Sequence, residues 1–351
     1  MLNLGRRTVL ALGLVSAAGL VTLAHFSGPV NSQGERVLTL YSSRHYDTDN
    51  AIYSSFTQKT GIKINLVEAD AGKLIERLKS EGSRSPADVV ITVDAGNLYR
   101  LQTEGLLQPV RSRALETTIP ANLREPQGHW FGLTKRARVI YYNRAKVDPD
   151  LVQNYEDLAN PRWRRRVVSR TSSQVYNQSL LSSMIANLGA ARTEAWARGL
   201  VANFATPPEG NDTAQIRAVS SGKADLTMAN TYYYIRLAKS NKPEDQEVVK
   251  NVGVIFPNQR NRGTHINISG AGVAKNAPNR AAAIAFIEHL ASRQSQEVFA
   301  KGNNEYPVLR GVALDPVLGS LGQFKEDEVN AIELGKNASE GSRIADRAGW
   351  R

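Results

Sequence analysis

The chain has no cysteine. Disulfides, thiolate metal sites and a lipid-attachment thiol are thereby excluded, and the fold must rest on its core. Histidine is scarce, with 5 in 351 residues, and one of these, His25, falls in the N-terminal leader. Gly-x-Ser-x-Gly, His-Glu-x-x-His and phosphate-loop patterns do not occur, so no familiar nucleophile, zinc-protease or nucleotide signature is present. No repeat of fixed period and no low-complexity linker interrupts the sequence. These absences point away from an enzyme and toward a binding protein.

Residues 1–33 read as an export signal with a mature N-terminal extension. Arg6 and Arg7 precede the apolar run Val9-Leu10-Ala11-Leu12-Gly13-Leu14-Val15, which continues through Ala17, Leu20 and Val21. The paired arginines suggest the twin-arginine route. A membrane anchor is the alternative, but Gly13, Gly19 and the polar return at His25 leave the run marginal for a span. Thr22-Leu23-Ala24 fits a small-residue cleavage site. A periplasmic protein with no stable membrane insertion after cleavage is expected.

The formal charge is +11. Such a balance suits nucleic acid, an anionic membrane or an anionic ligand. Lys and Arg are spread along the chain, however, and no nucleic-acid motif accompanies them, so no nucleic-acid partner is expected. The nearest cluster, Arg162, Arg164, Arg165 and Arg166 around Trp163, reads as a solvated surface ahead of a strand rather than as a phosphate patch.

Strands alternate with helices. Arg36–Ser42, Ile62–Val67 and Asp88–Val93 read as strands, and Asn50–Thr60, Leu74–Leu78 and the stretch through Leu98, Leu101 and Leu106 as helices. Asp47, Thr48 and Asp49 are candidate caps of the first helix. The pattern restarts with strands at Arg138–Tyr142, Val167–Ser169, Asp225–Ala229 and Val252–Phe256. Helices are expected near Ser179–Leu188, Thr193–Asn203 and Thr213–Ser220. A polar, Lys-rich stretch covers Lys239–Lys250. Ile266–Val273 is extended and glycine-rich, and Arg280–Phe299 reads as one long amphipathic helix. This alternation defines βα units and a parallel sheet. Two lobes without a single linker imply that the chain crosses between them more than once, near Arg136–Tyr142 and His265–Gly272. Paired crossings act as a hinge. The expected units are lobe 1 (34–136 plus 266–310), lobe 2 (137–265) and a C-terminal helical segment (311–351) packing on the lobes.

Tyrosine is the residue that stands out. Tyr46, Tyr176, Tyr232 and Tyr233 each follow a strand where a helix is about to begin, the position at which open α/β sheets bind ligands. A phenolate is a hard anionic donor, and Fe3+ is the hard cation that best rewards several of them. Adjacent Tyr232 and Tyr233, at a helix start, are separated by about 100° and both lean toward one point. The positive end of the helix dipole favours their ionised form. Any one tyrosine at a strand end is more simply a packing residue, and Tyr234 and Tyr306 are read that way. Four at analogous positions in two lobes point to ferric-iron capture. His45 is either a fifth ligand or a hydrogen-bond partner of the ligands. Fe3+ with four phenolates carries a net negative charge that needs cations nearby, and Arg44, Arg136 and Arg236 are the candidates, Arg136 first.

On these residues the sequence resembles the periplasmic ferric-iron-binding proteins of cyanobacterial iron ABC transporters, the Fut type, in the transferrin-like class II binding-protein superfamily. The resembling segments are Leu40–Tyr46, Trp130–Arg138, Tyr155–Leu158, Asp212-Thr213 with Gln215–Val219, Ala229–Tyr233 and the tail Ala345–Trp350. The resemblance implies an α/β, bilobal class II periplasmic binding-protein fold, with two βα lobes joined by a two-crossover hinge. It also implies Fe3+ as the transported ligand, ligation by Tyr46, Tyr176, Tyr232 and Tyr233, a variable histidine position at His45, and an iron ABC permease as partner. A monomer is expected. Some transferrin-like relatives add a carboxylate and a synergistic anion. Here the His-Tyr loop offers only Asp47, read instead as a cap, so an anion-free site is expected. The main alternative keeps the fold and binds an oxyanion or small organic anion; an intracellular role or ferrous iron is a further variant.

Overall fold

A computed structural model describes residues 36–351; the leader expectations lie outside the described residues. Strand β1 (Arg36–Ser42) is followed by α1 (Asp49–Thr60), β2 (Ile62–Glu68), α2 (Ala71–Glu81), β3 (Val89–Thr92), α3 (Ala95–Thr103), β4 (Leu107–Gln108), α4 (Arg113–Thr118) and the long β5 (Phe131–Asn143). Next come β6 (Val167–Val168), α5 (Val175–Leu188), α6 (Ala190–Ala202), α7 (Asp212–Ser220), β7 (Leu226–Asn230), α8 (Thr231–Ala238), α9 (Pro243–Asn251) and β8 (Val252–Ile255). The chain ends through β9 (Ile266–Ala274), α10 (Arg280–Ala291), α11 (Arg293–Gly302), β10 (Tyr306–Pro307), α12 (Pro316–Gly319), α13 (Ala331–Lys336) and α14 (Ala338–Ala348).

The strands run in the order β2-β1-β3-β9-β5-β7-β6, with β4 on β9 and with β8 and β10 on β5. β1 pairs in parallel with both β2 and β3. All four residues of β3 are buried, as a strand covered on both faces requires. β5 changes partner along its length. Phe131–Ala137 pairs with β9, whereas Arg138–Asn143 pairs with β7 and β8. One strand thus serves two sheets, and the return passage runs through residues 256–265, upstream of most of the stretch expected for it. The architecture is the bilobal α/β class II fold, with two crossings forming the hinge.

Local chemistry accounts for the departures from expectation. The long helix expected over Arg280–Phe299 is two helices. Ser292 turns to an extended backbone (φ −65°, ψ 153°) and caps α11 by accepting from the Ser295 N–H. The Lys-rich stretch contains α9, opened by Pro243 at its first turn with Glu244 and Asp245 beside the positive helix end. At α1 the cap position falls on Thr48, whose side chain makes no capping bond. The Asp49 carboxylate is instead held by Arg44. In β9, a Cβ on Gly270 would lie 2.6 Å from the Phe131 carbonyl oxygen, so only glycine lets the two crossing strands approach.

One core joins β1, β3, α1, α10 and one face of the second sheet, with Phe56 and Phe286 in an edge-to-face pair at 5.0 Å. A second core fills the other face of that sheet, around Ile140, Trp163, Met184, Trp196 and Trp350. Successive residues of β5, Val139 and Ile140, belong to different cores, as strand geometry demands. Burial of these large side chains is the main favourable term in a protein with no cross-links.

Candidate metal centre

Each expected tyrosine leaves the fold at a strand-to-helix junction. Tyr46 is on the loop between β1 and α1, Tyr176 is the second residue of α5, and Tyr232 and Tyr233 are the second and third residues of α8. The structure brings all four to one cavity of ≈ 550 Å3 between the lobes, lined also by His45 and Arg236. The Tyr232 hydroxyl donates to the Tyr176 hydroxyl at 3.1 Å. The Tyr232 and Tyr233 rings lie 4.1 Å apart, tilted by 31°. Arg236 bridges the cleft mouth, its guanidinium 5.5 Å from the Tyr46 ring and 5.1 Å from the Tyr232 ring. Among the described residues no three His, Asp or Glu side chains converge as a metal site.

The remaining expected residues divide by depth. Arg44 lies behind Tyr46, 4.7 Å from its ring, and is buried. Arg136 is also buried, donating to Ser269 Oγ at 3.0 Å and to the Val93 carbonyl. His45 lines the cavity but its side chain is 55% exposed, with Nδ1 4.0 Å from Glu68. Asp47 is exposed and does not line the cavity. Tyr234 packs 5.6 Å from the Tyr141 ring and Tyr306 5.2 Å from Phe324, as packing residues should.

Burial sets the protonation of the phenols. It pushes Tyr46 up to about 12, with Glu305 adding and Arg44 and Arg136 opposing. Burial, then the Tyr176 hydroxyl and Asp212, push Tyr233 up to about 12, against Arg170. Burial and the neighbouring phenols hold Tyr232 well above the ordinary tyrosine range. These three hydroxyls are therefore neutral at physiological pH, and only a strong local positive charge ionises them. A trivalent cation supplies that charge.

Two buried ionic networks lie beneath the tyrosines. Under Tyr46, Glu305 accepts from Arg44 (3.1 Å) and Arg136 (3.4 Å), while Asp49 takes a second bond from Arg44 at 2.7 Å. Burial alone would lower the Arg44 pKa, but Glu305 and Asp49 outweigh it and raise it well above the usual value. Under the other three tyrosines, Asp212 accepts from Arg138 (3.2 Å) and Arg170 (3.3 Å). Sequence reasoning missed Glu305, Asp49 as an ion-pair partner, Asp212, Arg138 and Arg170. The one available signal was Arg138 itself, a charge two residues from Arg136 and directly before the apolar run Val139-Ile140-Tyr141-Tyr142.

Two βα lobes, a pair of crossings and a tyrosine-lined cavity between them define a solute-binding protein. The bacterial extracellular solute-binding protein model matches residues 51–327. Among curated relatives, iron uptake proteins A1 and A2 of Synechocystis are each 51% identical, with 99% of both chains covered. A major ferric iron-binding protein of Neisseria meningitidis is 27% identical over 90% of this chain and 93% of its own. Among solved structures, a Trichodesmium FutA (IdiA) protein in complex with iron and citrate superposes with a TM-score of 0.87 at 56% identity, covering 90% of this chain and all of the other. Apo FutA2 of Synechocystis gives 0.87 at 54% identity with the same coverage. The chain belongs to the bacterial extracellular solute-binding proteins and, within them, to the Fut-type group that includes iron uptake proteins A1 and A2.

Proposed function

We propose that the protein is a periplasmic solute-binding protein that captures Fe3+ between its lobes and delivers it to an inner-membrane ABC permease for iron uptake. The ligands in this reading are the phenolate oxygens of Tyr46, Tyr176, Tyr232 and Tyr233. The observation that carries it is that tyrosines from one loop and two separate helix starts line one cavity, with two hydroxyls 3.1 Å apart. Four phenolates around Fe3+ leave a net charge of −1, and Arg236 at the mouth offsets it, with Arg44 and Arg136 behind. His45 serves as a fifth donor or as a hydrogen-bond partner. The names of the Fut-type relatives, which refer to iron uptake, support the same ligand.

The reading takes lobe 1 as 34–136 plus 266–310 and lobe 2 as 137–265, with 311–351 packed on the lobes, in a monomer without catalytic activity. It takes export to follow the twin-arginine route. No helix among the described residues is long and apolar enough to cross a membrane.

Aerobic titration with ferric citrate tests the reading. An orange or red complex, from phenolate-to-iron charge transfer, with one iron per chain by metal analysis is expected. A colourless titration would favour the second reading, a small organic anion or oxyanion. That reading rests on Val175 and Tyr232, at the starts of α5 and α8, lining the cavity beside Arg236.

A further inference from the structure

The three tyrosines of lobe 2 are carried by two helix starts that are far apart in sequence, and one carboxylate is tied to both. Asp212, the first residue of α7, is fully buried. Its Oδ2 accepts from Arg138 Nη1 at 3.2 Å and from the backbone N–H of Asn230 at 3.1 Å, two residues before Tyr232. Its Oδ1 accepts from Arg170 Nη1 at 3.3 Å. Arg138 carries the connection to the other helix, donating through Nη2 to Asn177 Oδ1 at 2.7 Å, beside Tyr176. The Asn177 amide donates back to the carbonyls of Arg170 (3.2 Å) and Thr171 (3.0 Å). The Arg170 guanidinium lies 5.8 Å from the Tyr176 ring. Trp350 closes the circuit by donating to the Arg170 carbonyl at 2.9 Å.

We propose that Asp212 is a positioning residue for the metal ligands, holding the starts of α5 and α8 in the register at which Tyr176, Tyr232 and Tyr233 meet one ion. The inference rests on the ferric reading above. Asp212 makes no hydrogen bond to a tyrosine, so it acts through Arg138, Asn177, Asn230 and Arg170 and is not itself a ligand. Two arginines share this one carboxylate, so its removal frees both guanidinium groups and the Asn230 N–H at once. Outer partners of this kind fix ligand orientation and tune affinity.

The test compares wild type with Asp212→Ala, Asp212→Asn, Arg170→Gln and Asp225→Ala. Asp225 is the control, a buried carboxylate at the far end of β7 paired with Arg166 and Lys146. Each protein is titrated with ferric citrate while the charge-transfer band and apparent affinity are recorded, and each iron-free protein is melted. Asp212→Ala is expected to lose affinity by about 10–100-fold and to move the band maximum. Asp212→Asn, which keeps an acceptor for the Asn230 N–H, should recover part of both. Arg170→Gln should move the band in the direction of Asp212→Ala with a smaller loss. Asp225→Ala should lower the melting temperature and leave the band in place. Wild-type band and affinity in Asp212→Ala, with melting lowered as in the control, would overturn the proposal. Should Asp212→Ala not fold, Asp212→Asn and Arg170→Gln decide on the same two readouts. A wild-type protein that gives no band overturns the ferric reading itself, and this inference with it.

Discussion

Arg136 and Arg138 lie two residues apart on β5 and serve opposite halves of the site. Arg136 reaches Ser269 and Glu305, behind Tyr46; Arg138 reaches Asp212 and Asn177, behind Tyr176. Residues at this spacing share a strand face, and the strand changes sheets between them. The crossing strand therefore anchors both ionic networks, the one behind Tyr46 and the one behind Tyr176, Tyr232 and Tyr233, from a single segment.

Tyr232→Phe and Tyr176→Phe each remove one oxygen and little volume. Ferric affinity should fall by more than about 100-fold in each, exceeding the effect typical of an outer partner, with folding intact by circular dichroism. His45→Ala should cost less than about tenfold, because its side chain is largely in solvent. Competition against citrate, read at the charge-transfer band, ranks the three variants; a reversed order would displace the tyrosines from the ligand set.

Ferric affinity should rise with pH. The iron-free protein holds Tyr46 and Tyr233 as neutral phenols, their pKa values raised to about 12, and the proposed ligand set requires them as phenolates in the loaded protein. Loading thus releases protons, and each released proton makes affinity climb by about tenfold per pH unit below the phenol pKa. The same shifts bear on the iron-free fold. Raised phenol pKa values contribute stability that is complete below the unfolded value of about 10 and is lost as pH climbs toward 12. Proton release on loading at two buffer ionisation enthalpies, by calorimetry, gives the count; a value near zero would contradict phenolate ligation.

Glu305→Ala should destabilise the iron-free protein by about 3–5 kcal/mol, since it leaves buried Arg44 with Asp49 alone and removes the carboxylate that buried Arg136 pairs with. Urea unfolding measures this. Glu305→Gln should be intermediate, because the amide oxygen still accepts from one guanidinium.

Lys239 caps the C-terminal end of the helix that bears Tyr232 and Tyr233, and its ammonium donates to Asn304 Oδ1 (2.9 Å), Asp315 Oδ2 (2.8 Å) and the Lys301 carbonyl (3.3 Å). These bonds join lobe 2 to the segment after β9. Lys239→Met should weaken closure by about 0.5–1 kcal/mol, as for a partly exposed ion pair, and speed iron release a few-fold without moving the absorption band. X-ray scattering should show compaction on loading in both proteins, with a larger iron-free radius in the variant.

The strand–helix alternation and the tyrosines at strand ends were legible because both follow from local periodicity and from where a sheet ends. The break at Ser292 was not, because Ala291 and Arg293 continue an amphipathic pattern that only the turn at one backbone torsion interrupts. The Lys-rich stretch concealed α9, since few of its residues face a core. The buried ionic networks were the least visible. Arg44 and Glu305 are 261 positions apart, and no pattern within either segment signals the pairing. Arg44, Arg136 and Arg236 were found as cations near the ligands, but the carboxylates that hold two of them were not.

Helix α13 touches α3 on one lobe and α5 on the other. At Gly335 a Cβ would come within 2.1 Å of the Tyr99 Cβ, so the backbone lies directly on that tyrosine. Flanking it, Asn330 donates to the Ala121 carbonyl (3.1 Å) and Asn337 to the Ser182 carbonyl (3.4 Å). The segment that leads into this short strap pairs with the return crossing, the Thr264 N–H donating to the Lys325 carbonyl (2.8 Å) and the Asp327 N–H to the Thr264 carbonyl (2.9 Å). The C-terminal tail is thus stitched to both jaws and to the passage between them, and any change of gape must strain those stitches.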